Sequence, residues 1–226
     1  MSRTGVVSER DVLEALRVVI DPELDASIVE LGFVAEVVVD GAEVRVALRL
    51  PTFWCAPNFS WLMAEDARQA VHGLPGVERV VIELLDHHAG EEISLGVSQR
   101  RSFEETFAGE ATENLESLRR LFRRKAFFKR QEQLLGSLPR TQVRRGLTLA
   151  ELPDSPEARA YRAIRAELGL DCSPRAPAIT DAQGREVEDV EAHLQRIRLM
   201  RVSMDANTVL CRGLLETRYA LAGAAQ

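Results

Sequence analysis

The 226-residue chain is 46% hydrophobic and 28% charged, with a net charge of −6 and a pI near 5.4. That composition suits one large globular domain or two small ones, and no stretch approaches the roughly 18 apolar residues that span a bilayer. Three widely spaced cysteines, Cys55, Cys172 and Cys211, form no CxxC pair, which argues against a disulfide framework and against a self-contained tetrathiolate zinc or iron–sulfur centre. The opening MSRTGVVSERD lacks the apolar run of a secretory signal, so a cytoplasmic location is expected, with no membrane partner. Charge is uneven: residues 1–100 hold 8 Arg against 17 Asp and Glu, and the remainder is mildly basic.

Ser8 is placed to cap a helix of about a dozen residues, with Val12, Leu13, Leu16, Val19 and Ile20 at helical spacing. Pro22 ends it, because a residue before proline is pushed out of the helical region. FVAEVVVD and EVRVALRL then read as two strands joined at Asp40-Gly41, a strong hairpin signal. Val44, Val46, Leu48 and Leu50 share one face of the second strand, so one side of the sheet is covered. A second helix runs from about Phe59 to His72, capped by Asn58 and blocked from extending backwards by Pro57. LPGVE is a turn and RVVIELL a third strand, parallel to the second.

The tail is helical. One helix covers about 111–137, with Leu115, Leu118, Phe122 and Ala126 three and four apart. A Pro- and Gly-punctuated stretch precedes a helix near Ala158–Leu168, and DCSPRAPAITDAQGRE is loop. A long last helix, about Val187 to Ala222, carries Val190, Leu194, Ile197, Met204, Cys211 and Leu215 on heptad-like positions. The expected fold is thus α+β: an N-terminal α-β-β-α-β sandwich over residues 1–98, with a three-stranded mixed sheet covered by two helices, and an all-helical domain over 99–226.

Four stretches of the N-terminal part carry candidate chemistry: DPEL (21–24), SIVELGFV (27–34), PTFWCAPN (51–58) and DHHAGEE (86–92). Asp21-Pro22-Glu23, Ser27-Ile28-Val29-Glu30-Leu31-Gly32 and Thr52…Cys55…Pro57 together resemble the SufT- and PaaD-like family of iron–sulfur cluster assembly factors over about residues 8–97. The resemblance implies a small α/β fold and a role in maturing iron–sulfur or related metalloproteins. Trp54 stands where the family loop has glycine, and Ala56 separates Cys55 from Pro57. The long form with a helical tail is similar to a subgroup associated with diiron monooxygenase systems, which implies such an enzyme as client.

Cys55 enters the second helix, where amide groups and the helix dipole favour a thiolate that binds iron or zinc; the alternative is a small packed hydrophobe. Asp21 is as well suited to turn-making as to ligation, and Glu23 is the better ligand. His87 and His88, if extended, point to opposite faces, so one of them joins Cys55 and Glu23 in a metal site, or both are surface residues. Thr52, Trp54, Pro57 and Asn58 support the loop. Phe53, Trp54, Phe59 and Trp61 cannot all be buried in so small a sheet, and an exposed remainder marks a partner patch. The basic run RRLFRRKAFFKRQ offers Arg119, Arg123, Arg124, Phe127 and Phe128 to an acidic partner; the low pI speaks against a dedicated nucleic-acid binder. Cys172 and Cys211 read as structural.

The leading reading is a non-enzymatic maturation factor that transiently holds iron or a cluster, with zinc as another occupant. Its partners are a client metalloenzyme, cluster assembly proteins or a second copy of the chain. The competing readings are an adaptor acting through the helical tail and a small cysteine-dependent enzyme.

Overall fold

The computed structural model describes residues 7–108 and 115–223. They form two compact units. One contains the described residues up to Glu116 together with those from Ala206 onward, and the other is Ser117–Asp205. Phe103 and Leu215, both beyond the break expected after residue 98, are buried in the core of the first unit. No described helix is long and apolar enough to cross a membrane.

The first unit begins with α1 (Glu9–Leu16), capped by Ser8, whose hydroxyl accepts from the Asp11 amide while Asp11 bonds back. Val12 and Leu16 face the core. The helix stops at Leu16 rather than running on to Pro22. Ile20–Asp21 instead forms β1, paired antiparallel with β2 (Ala26–Ser27) around the DPEL turn. Asp21 is the cause: its carboxylate accepts from the amides of Glu23 and Leu24, both at 2.9 Å, a local arrangement that competes with helix.

β3 (Val34–Asp40) and β4 (Glu43–Arg49) form the expected hairpin, with Gly41 at φ +58° in the two-residue loop. β5 (Arg79–Leu85) pairs parallel to β4, so the sheet order is β3-β4-β5 and the mixed sheet is as the pattern predicts. The register aligns Arg49 with Leu85, so both strands end at the same edge of the sheet. Val44, Val46, Leu48 and Ile82 fill the covered face.

Between them lies α2 (Pro57–His72). Its cap is Ala56, not Asn58, because Pro57 already occupies the first helical position, where its missing N–H costs nothing. Asn58 accepts from the next amide, Phe59, with its side chain. A third helix, α3 (Gly90–Ser98), follows β5 and packs on it and on α2, so more than two helices cover the sheet. The short α4 (Phe103–Thr106) sets Phe103 against Trp61.

In the second unit, α5 (Leu115–Ser137; residues 111–114 of the expected helix lie outside the described residues), α6 (Pro156–Glu167) and the first half of α7 (Val190–Gly223) surround Phe127, Leu134, Tyr161 and Ile164. The expected loop 171–186 is irregular but packed, with Ala176, Ala178 and Ile179 buried. The Arg165 guanidinium anchors it, donating to the carbonyls of Asp171 (2.6 Å) and Pro177 (3.0 Å). Gln131, Tyr161, Thr180 and His193 complete this buried polar knot. Phe127 is corrected from a surface contact to a fully buried residue, and Phe128 stacks edge-on against it. Arg123 and Arg124 are exposed.

Gly90 opens α3 so close to β5 that a Cβ would stand 2.6 Å from the Leu84 carbonyl oxygen. Gly90→Ala is expected to destabilise the protein by about 1–3 kcal/mol, the usual range for overpacking, read as a lower urea midpoint at unchanged slope.

Candidate functional site

Parallel pairing of β4 and β5 delivers two irregular segments side by side: 50–56, which leads into α2, and 86–89, which leads into α3. Segment 50–56 has no strand or helix of its own. It is held by its neighbour. The His88 amide donates to the Phe53 carbonyl at 3.0 Å, and His88 Nδ1 stands 3.0 Å from the same oxygen. His87 Nε2 lies 2.8 Å from the Cys55 carbonyl and 3.2 Å from Ser60 Oγ. The Ala89 amide donates to His87 Nδ1, so that nitrogen is unprotonated and Nε2 carries the hydrogen that goes to Cys55.

These contacts change the roles expected of the histidines. They do not point to opposite faces. Asp86, at φ +51°, turns the chain, and the two rings stack 4.5 Å apart. Both ring nitrogens of buried His87 are engaged, and burial, with the neighbouring His88 as a smaller contributor, holds it below its ordinary pKa. His87 is a backbone clamp, not a free ligand. His88 is exposed and lies against Trp54, with ring centroids 5.2 Å apart.

Cys55 is half-buried, packed against the core on one side, with its Sγ 3.3 Å from Thr52 Oγ1. Of the four clustered aromatics, Trp61 is buried, Phe59 is half-buried, and Phe53 and Trp54 are exposed, Trp54 by 74%. The ring of Trp54, next to Cys55 in the chain, therefore has little cover among the described residues.

Asp21 is only 8% exposed, and burial pushes its carboxyl up to about 6 despite the two amides it accepts from. Glu23, on the same turn, is exposed. Among the described residues, no three of His, Cys, Asp and Glu stand together as a ready-made metal site. The expected Cys55–His–Glu23 triad is thus not assembled, because the histidine is spent on the loop backbone.

A residue read as structural packs against the same core. Cys211, half-buried on α7, lies within electrostatic reach of Asp21, Cys55 and Glu23; burial first, then those three groups, push its thiol up to about 11. The heptad position of Cys211 gave no hint of this, since it reports only that one face of the helix is packed.

A family model described as iron-sulfur cluster assembly protein matches residues 9–83. Over 73 residues the chain is 41% identical to an iron-sulfur cluster carrier protein of Synechocystis, a match covering 32% of this chain and 20% of that protein. Over 90 residues it is 33% identical to an uncharacterized protein of Methanocaldococcus jannaschii, covering 39% of this chain and 93% of that protein. The chain belongs to the iron–sulfur cluster assembly family, as its motifs predict, and spans only a fifth of the length of the carrier protein.

Two outcomes follow from this geometry. Asp21, with a folded pKa of about 6 against about 3.9 unfolded, favours the folded state while protonated. That contribution is complete below the unfolded value and is lost as pH rises through about 6. Asp21→Asn keeps the acceptor oxygen and removes the titration. Its stability relative to wild type should rise by about 1.4 kcal/mol between pH 5 and 7.5 in urea titrations; a constant difference would contradict the assignment. His87→Ala frees the Cys55 carbonyl and leaves a void, with an expected loss of about 2 kcal/mol and severalfold faster alkylation of Cys55.

Proposed function

We propose that the protein is a non-catalytic carrier in iron–sulfur cluster assembly, which takes a cluster, or iron for one, at the Cys55 loop and passes it to a client protein. One observation carries this reading. Cys55 is the sole cysteine within the family-matched residues 9–83, and it sits half-buried at the rim of the sheet on a loop fixed through its backbone. A donor must bind its cargo and release it, which favours few ligands over a closed site. Zinc suits the same thiol and carboxylate donors and is the competing occupant.

Exposed Trp54 beside the thiol supports docking of the client at the same loop, since large exposed aromatics anchor interfaces. The long helical extension supports a client metalloenzyme of the diiron monooxygenase type. The engaged nitrogens of His87 speak against a cysteine enzyme, which needs a free base beside its nucleophile. Free thiols at Cys55, Cys172 and Cys211 fit a reducing, cytoplasmic setting.

Anaerobic reconstitution with ferrous iron and sulfide tests the proposal. Cys55→Ser should retain at least about tenfold less iron and sulfide than wild type, the scale on which even supporting groups around a metal act. Cys172→Ser, in an exposed loop, should load normally. Full loading of Cys55→Ser would refute the carrier reading. Trp54→Ala should load normally yet transfer more slowly to an apo-acceptor.

A further inference from the structure

The two edges of the three-stranded sheet differ. That of β5 is closed by α3: the amides of Ile82 and Leu84 donate to Ser98 Oγ (3.2 Å) and Ser94 Oγ (2.8 Å), and the Ser98 hydroxyl donates to the Ile82 carbonyl. That of β3 is open. Asp40 and Glu43 close a two-residue loop, which makes them a hydrogen-bonded pair. Alternation along the antiparallel ladder then turns the N–H and C=O groups of Val37 and Val39 outward. Among the described residues, no hydrogen bond from outside the hairpin reaches β3 between Ala35 and Asp40. The side chains of Val37 and Val39 pack against the core, which leaves Glu36, Val38 and Asp40 on the other side of the strand. Register sets Glu36 beside Ala47 and Glu83, Val38 beside Arg45 and Val81, and Asp40 beside Glu43 and Arg79. Within these rows the charges of β4 and β5 neutralise one another. Arg45 pairs with Glu43 (3.8 Å) and Glu83 (3.6 Å), and Arg79 pairs with Glu43 (3.5 Å). Glu36 and Asp40 are exposed and have no ion pair among the described residues, and Val38 between them is 44% exposed.

We propose that β3 is a docking edge for an extended segment of another protein, of basic–apolar–basic alternation (Lys/Arg-x-Val/Ile-x-Lys/Arg), which adds a fourth strand to the sheet. The outward N–H and C=O groups of Val37 and Val39 supply the backbone bonds. Glu36 and Asp40 lie four residues apart on one side of β3, so two cations at the same spacing meet them, and the apolar residue midway meets Val38. Charge selects this occupant over a second copy of the chain. Antiparallel pairing of two β3 strands through both Val37 and Val39 sets Glu36 of each copy opposite Asp40 of the other, and like charges directly opposite destabilise a sheet. The two carboxylates and the bulge between Val34 and Glu36 thus guard the edge against self-association, while the carboxylates leave it complementary to a cationic strand. None of these residues belongs to the Cys55 loop, so the edge stands whether or not the protein carries a cluster.

The probe is the blocked peptide acetyl-Thr-Lys-Thr-Val-Thr-Lys-Thr-amide, with a counterpart carrying Glu for both Lys, titrated at low salt into isotope-labelled full-length protein and followed by amide NMR. The lysine peptide should shift the Val37 and Val39 resonances and bind about tenfold more tightly than the glutamate peptide, the scale of two cross-strand charge pairs turned from attraction to repulsion. Added salt should shrink that difference. In the double variant Glu36→Lys with Asp40→Lys the preference should reverse, an outcome that misfolding does not mimic. On unmodified protein, the lysine peptide should slow hydrogen exchange at the Val37 and Val39 amides, which keeps the test decisive if the variant folds poorly. Failure of the lysine peptide to bind, equal affinity for the two peptides, an unreversed preference in a folded double variant, or shifts confined to residues outside β3 would overturn the proposal. Shifts of the Val37 and Val39 amides that grow with protein concentration in the absence of peptide would make a second copy the occupant and overturn the choice of a cationic partner.

Discussion

The hydrogen bond from His87 to the Cys55 carbonyl is the contact on which the candidate site depends. The segment between β4 and α2 has no ladder or helical bonds of its own. Backbone groups in such a segment must find partners or be left to solvent. Here two successive residues of another loop supply them, His88 for Phe53 and His87 for Cys55. The clamp exists because β4 and β5 run parallel and end in register, so their exits emerge together. Loops at the carboxyl ends of parallel strands are a recurrent place for ligand sites, for this same geometric reason.

Once the loop is fixed, the division of labour among its side chains follows from volume and polarity. Trp61 fills the interior beside Phe103, so Trp54 is left outside against His88. Asp21 spends its carboxylate on the DPEL turn and becomes hard to ionise, while Glu23 keeps its exposure. The site is therefore sparse in ready ligands and rich in backbone support. That balance suits a protein that hands on its cargo better than one that keeps it.

Local chemistry made much of the first unit legible. The Ser8 cap, the Asp40-Gly41 hairpin and the alternation of β4 each act over a few residues and came out as the pattern predicts. Errors arose where a side chain chose between two local uses. Val19 and Ile20 fit a helical period, but Asp21 captured the following amides and turned the chain. Asn58 is a good cap by type, but Pro57 claimed the first helical position ahead of it. Phe127 sits in a basic run that reads as surface, yet the second unit needed its ring for a core.

By itself, the sequence determined the family, the mixed three-stranded sheet and the place of Cys55 at the entry to the second helix, because strand alternation, turn residues and short motifs are written in neighbouring positions. Tertiary structure alone decided what surrounds that cysteine. It turned His87 from ligand into clamp through a contact 32 residues distant. It also laid α7 over the site, through bonds from Arg218 to residues 132 and 168 positions away. Such separations leave no periodicity to read, since they depend on where whole elements come to rest.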